Sequence, residues 1–293
     1  MCPDRRLAVR APGDRPGADR RAARRTQPIP MGIQHRLTSA ILGDVREVNV
    51  WLPDGYAAST DRYPVVYLLD GAVDQDFRHI AGLGSLASLS WTFGPFIVVG
   101  VQTRNRHAEL TPPATDPRYV AAFPKRGGAA RFRRFLLQEV MPFVEQRYRT
   151  GTRRAIMGES LAGLFVVDAL LTEPTAFREY IAISPGLWWD DRRWVGTAAD
   201  AGLARAKGVR LFLAVADEGG TMQDGVDRLR TMIDRLPAGR VTLRYAEYRA
   251  TATHATVYHG AAEAALRWLL PAPPFDNGPT PWFMIDGASP PAR

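Results

Sequence analysis

Two short, unbroken apolar runs constrain this chain most, PVVYLLD at 64–70 and FIVVGV at 96–101. A strand wetted on one face alternates apolar with polar residues, whereas a strand buried on both faces reads as a continuous hydrophobic run. Similar short runs follow at Tyr180–Ser184 and Arg210–Ala216, with Arg154–Met157 and Val241–Tyr248 as further strand candidates. Helical patterns lie between them, at Ala129–Tyr148, Leu161–Leu171, Asp224–Leu236 and Gly260–Leu270. In the first of these, Phe132, Phe135, Leu136, Val140, Phe143 and Val144 recur at three- and four-residue spacings. Strands that alternate with helices of this length predict a mostly parallel central sheet covered on both faces. Val45–Leu52 alternates instead, as a half-exposed strand would. No internal repeat or linker interrupts residues 35–270, so 33–270 is expected to form a single domain.

Charge separates the N-terminal end from this body. Of the formal +8, +5 belongs to residues 1–30, which hold eight arginines against three aspartates. The remainder is close to neutral, which argues against specific nucleic-acid binding. Residues 1–32 are rich in Arg, Ala, Pro and Gly without an apolar run and are expected to be disordered. No hydrophobic stretch follows the arginines, so no secretory signal is expected and the default location is the cytoplasm. No apolar run is long enough to span a bilayer. The lone cysteine, Cys2, allows neither an internal disulfide nor a cysteine metal site. The proline-rich segment 271–293 is expected to form neither helix nor central strand, with Trp282, Phe283 and Met284 packed back onto the body.

The stretch MGESLAGLF (157–165) comes close to the elbow G-x-S-x-G, with Ala162 at the second glycine position. A serine hydroxyl becomes a nucleophile only when a base takes its proton, and a sharp strand-to-helix turn exposes it while aiming helix amides at an oxyanion. The local context, an apolar strand followed by an apolar helix, fits that turn; the plain alternative is a helix N-cap serine. Of five histidines only His254 and His259 follow Ser160. His254 falls in the loop after the Val241–Tyr248 strand, and His259 where the closing helix begins, so His254 is the expected base. The expected acid is Glu218, with Asp217 as the alternative and Asp224 within reach of the same loop. Oxyanion donors are expected from the amides of Leu161 and of the turn at Gly71 and Ala72. Trp188 and Trp189 are placed to wall a pocket for a bulky or aromatic ester, or else to fill a loop core. Arg104 and Arg106 are candidates for holding an acidic substrate group.

With these segments laid out, the chain resembles the "putative esterase" family of α/β-hydrolases, particularly its enterochelin (siderophore) esterase-like members. The matching stretches are LPDGY (52–56), YPVVYLLDGAVDQD (63–76), ELTPP (109–113), RAIMGESLAGLFVVDALLTEPTAF (154–177), ISPGLWWDD (183–191) and THATV through LRWL (253–269). The resemblance implies an α/β-hydrolase fold with Ser160 as nucleophile and His254 as base, and with Gly71 and Leu161 near the oxyanion. It implies a serine esterase acting through an acyl-enzyme on a small-molecule ester, without metal or organic cofactor. Because the family includes acyltransferases, an acyl-enzyme is implied more firmly than water as its acceptor. A catalytically silent scaffold that binds a ligand or protein is the alternative of another class.

Overall fold

The computed structural model describes residues 30–90, 92–196, 200–274 and 278–287. The expectation of disorder for residues 1–32 therefore falls almost wholly outside the described residues. The chain runs from β1 (Ile33–Ser39) and β2 (Asp44–Trp51) to β3 (Tyr63–Leu68), α1 (Phe77–Ser90) and β4 (Ile97–Val101). Two short helices, α2 (Arg106–Leu110) and α3 (Pro117–Ala122), precede α4 (Ala129–Phe135) and α5 (Met141–Arg147). Next come β5 (Thr150–Glu159), α6 (Leu161–Thr172), β6 (Glu179–Ile183) and α7 (Asp200–Leu203). The last elements are β7 (Val209–Val215), α8 (Gly220–Asp234), β8 (Val241–Glu247) and α9 (Val257–Leu269).

Among the described residues eight strands form one sheet in the order β1-β2-β4-β3-β5-β6-β7-β8. β1 and β2, and β2 and β4, pair antiparallel; the other neighbours are parallel. The continuous apolar runs occupy the middle of the sheet, and their side chains divide by parity. Val65, Tyr67, Ile97, Val99, Tyr180, Ala182, Leu211 and Leu213 face a core shared with α4, α6 and α8. Val66, Leu68, Val98, Ile181, Ile183, Phe212 and Ala214 face a second core against α1 and α9. Two buried faces thus account for strands without polar positions.

Three local expectations change. β2 is not half-exposed: Val48, Asn49, Val50 and Trp51 are buried, because Val48 and Val50 pack into one core and Trp51 into the other. The helix expected over 129–148 is interrupted by a π turn at Leu136–Val140, just before Pro142, which has no N–H for the ladder. Beyond Pro271, Trp282, Phe283 and Met284 do not pack back: they form one 3-10 turn and stay 41%, 70% and 69% exposed. Among the described residues no helix is long and apolar enough to cross a membrane.

Candidate active site

β5 ends at Glu159 and α6 starts at Leu161, so Ser160 alone makes the turn between them. It does so at φ 59°, ψ −119°, a conformation that L-residues rarely hold and that must be held by its surroundings. The Ser160 amide donates to the Ile183 carbonyl at 3.0 Å, and its own carbonyl accepts from Leu164 and Gly186, each at 2.9 Å. Crowding explains the residues around it. A Cβ on Gly158 would fall 2.6 Å from the Ala162 Cβ, so an alanine at 162 fits because position 158 is bare. The glycine that arrives one residue late has its own reason, since a Cβ on Gly163 would sit 2.9 Å from the Ile183 carbonyl oxygen.

His254, in the loop between β8 and α9, brings Nε2 to 3.0 Å from the Ser160 Oγ. Its Nδ1 lies 3.0 Å from the Glu218 Oε2, in the loop after β7, and that carboxylate is 3% exposed. The contact is short but not an aligned hydrogen bond, and it becomes an ion pair when the ring is protonated; such bonds commonly tighten only when substrate binds. Glu218 raises the His254 pKa, burial opposes this, and Glu159 adds to the rise. Asp217 is exposed, and its amide donates to the Ala252 carbonyl at 3.2 Å. Asp224 pairs with Arg192 and Arg228. His259 lies on α9 against His79, ring nitrogens 3.2 Å apart, away from Ser160's partner.

The turn after β3 lies beside the elbow, because β3 pairs with β5. Its two candidate amides are not equivalent. Gly71 donates to the Val101 carbonyl at 2.9 Å, so that amide is committed to the sheet and the expectation of an oxyanion donor there is corrected. Gly71 is glycine for another reason: a Cβ would meet the Gly100 Cα at 2.3 Å. Ala72 donates to the Gln75 Oε1 at 3.0 Å, and the same side chain donates through Nε2 to the Thr103 carbonyl at 2.8 Å. The adjacent tryptophans also divide. Trp189 is fully buried, its Nε1 donating to the Pro112 carbonyl, so it is core and not a pocket wall. Trp188 is partly exposed and stacks on Tyr119 at 6.1 Å between centroids; a Cβ on Gly186 would meet its Nε1 at 3.5 Å and the Ser160 carbonyl oxygen at 3.6 Å. Arg104 is held by Asp44 and the Val45 carbonyl. Arg106 is held by Asp70 at 2.9 Å and by the Glu159 carbonyl at 3.0 Å.

One group was not foreseen. Glu159, the variable residue of the elbow, places Oε1 3.4 Å from the same His254 Nε2 that meets Ser160. It belongs to a set of carboxylates around Arg106. Burial raises the pKa of Asp70 and Glu159, and that of Asp76 to about 7. Asp70 itself has φ 49° at the end of β3. The available signal was a carboxylate directly before the serine, in a position the motif leaves open.

A serine held in strain between a parallel strand and a helix, on a sheet covered on both faces, defines the α/β-hydrolase class. The family model described as "Putative esterase" matches residues 39–268, and the chain belongs to that family. It is 32% identical over 142 residues to the ferri-bacillibactin esterase BesA of Bacillus subtilis, covering 44% of this chain and 49% of that protein. It is 35% identical over 178 residues to the apo-salmochelin esterase of Escherichia coli O6:H1, covering 56% and 52%. The matched part thus spans about half the length of these relatives. Among solved structures it is similar to an IroE-like serine hydrolase from Shewanella oneidensis, with a TM-score of 0.71 and 30% identity over 82% of this chain and 80% of that one.

Proposed function

We propose that this protein is a serine esterase that cleaves carboxylic esters, of siderophore type or with bulky aromatic groups, through an acyl-enzyme. The observation that carries the reading is one line of contacts: Ser160 Oγ to His254 Nε2 at 3.0 Å, and His254 Nδ1 to Glu218 at 3.0 Å. The names of its relatives, esterases of bacillibactin and salmochelin, support the substrate class.

In this reading His254 Nε2 takes the Ser160 proton as Oγ attacks the ester carbonyl, and Glu218 holds the imidazolium that forms. The oxyanion rests on the amides of Leu161 and Ala72, the latter released from Gln75. His254 then gives its proton to the leaving alcohol, leaving the acyl group on Oγ. Water, deprotonated by the same nitrogen, attacks the acyl group, and Ser160 is restored with release of the acid. Trp188 lines the acyl or alcohol pocket. These steps need no metal or organic cofactor, and the reading places the enzyme in the cytoplasm.

The test is a fluorophosphonate probe together with a panel of esters that includes a tricatecholate. The native protein should be labelled on Ser160. Ser160→Ala should lose labelling and at least about 10³-fold in turnover, with the unfolding midpoint nearly unchanged. Turnover that survives Ser160→Ala would sink the reading.

A further inference from the structure

His254 carries a carboxylate on each ring nitrogen, and the two carboxylates have different surroundings. Glu218 is shut away on Nδ1, 3% exposed. Glu159 is 18% exposed, precedes Ser160 directly and lies 3.4 Å from Nε2, the nitrogen that must meet the leaving oxygen. To be protonated, that oxygen comes within about 3 Å of Nε2, hence within roughly 6.5 Å of the Glu159 carboxylate. The alcohol half of any ester therefore passes close to this charge.

The local balance is one-sided. Glu159 is coupled electrostatically to Asp70, Glu218, His254 and Arg106. Arg106 is the one permanent cation in that set, and it already pairs with Asp70 and the Glu159 carbonyl. Among the described residues the Glu159 carboxylate is paired with the imidazole alone, and that imidazole is neutral while it waits to act as a base.

On the reading of the site as a serine esterase, we propose that Glu159 is a specificity-determining residue that selects esters by the charge of their alcohol half, favouring a cationic alcohol over a neutral one and rejecting an anionic one. A cationic group on the alcohol meets a carboxylate whose partner is a neutral imidazole, and an anionic group meets repulsion from the same oxygen atoms. At this separation, partly screened by solvent, the effect should be on the order of tenfold in each direction.

Three butyrate esters of similar size test this at pH 8 and low ionic strength: butyrylcholine (cationic), 3,3-dimethylbutyl butyrate (neutral) and 2-sulfoethyl butyrate (anionic). The expected order of kcat/KM is cationic, neutral, anionic, with the spread reduced by added salt. In Glu159→Gln the cationic-to-anionic ratio should fall by about tenfold or more, while fluorophosphonate labelling of Ser160 shows the site intact. A ratio near one in the native protein, a ratio unchanged by Glu159→Gln, or no turnover of any of the three by a protein whose Ser160 is labelled overturns the proposal. Absence of labelling overturns instead the esterase reading on which it rests.

Discussion

At the scale of single residues, the environment of His254 decides how the site responds to pH. The Glu218 carboxylate raises the pKa of His254 because it stabilises the charged ring, and Glu159 works in the same direction. A base must be neutral to accept a proton, so turnover should rise with pH along a limb centred above the ordinary histidine value of about 6.5. Glu218→Gln removes the charge but keeps the shape. Its limb should move to lower pH, and its plateau should fall by about 10² to 10⁴-fold as the ring loses its orienting partner. A pH profile of kcat/KM for both proteins checks this, and a limb that stays in place would mean that Glu218 does not act on the base. Sequence order was enough to name Ser160 and His254 as candidates, which the structure brings to 3.0 Å, since the strand-turn-helix pattern and a late loop histidine are both visible in the residues. Glu218 and Asp217 are neighbours on one loop, and only the direction in which that loop leaves β7 separates them. The reason Gly71 must be glycine was not legible, because the close approach of β4 cannot be read from the residues of a turn.

At the scale of elements, strands buried on both faces were legible, and of the two rim strands β8 was legible and β1 was not. β1 reads IQHRLTS and is mostly exposed at the sheet edge, so it carries no apolar run to announce itself. The loop after β6 poses a different problem. Trp188 and Trp189 are adjacent, and in an irregular segment no periodicity says which one enters the core. Here three consecutive residues, Asp190, Asp191 and Arg192, hold positive φ, and the segment is tied down by its carboxylates. Asp190, 5% exposed, accepts from the amides of Thr115 at 2.9 Å and Asp116 at 2.7 Å. This joins the Trp188 loop to the approach to α3, where Tyr119 stacks on Trp188 and donates to its carbonyl. Asp190→Ala leaves the buried Asp116 amide without its acceptor, at a cost of roughly 1–3 kcal/mol. Denaturant unfolding should show that loss. Because the aromatic wall loosens while Ser160 and His254 are untouched, KM for an aromatic ester should rise more than kcat falls. A loss confined to kcat would place Asp190 in a different role.

At the scale of the whole molecule, charge and fold are separate matters. The sheet, its two cores and the candidate site all lie within Gly32–Arg293, a compact unit in its own right. Five of the eight net positive charges lie before it, in residues 1–30. A positive tract attracts polyanions without reading sequence, and each phosphate it neutralises releases a counterion, so such binding weakens steeply with salt. The body, near neutral overall, should show little of it. A chain beginning at Met31 should keep the unfolding midpoint and the ester kcat/KM of the full chain within error. It should elute from a DNA or heparin column at distinctly lower salt, and the full chain should show no preference among DNA sequences. Retention that is unchanged by the deletion would move the polyanion affinity onto the folded unit, to the arginines of its surface. A fall in kcat/KM on deletion would show instead that residues 1–30 take part in handling the ester.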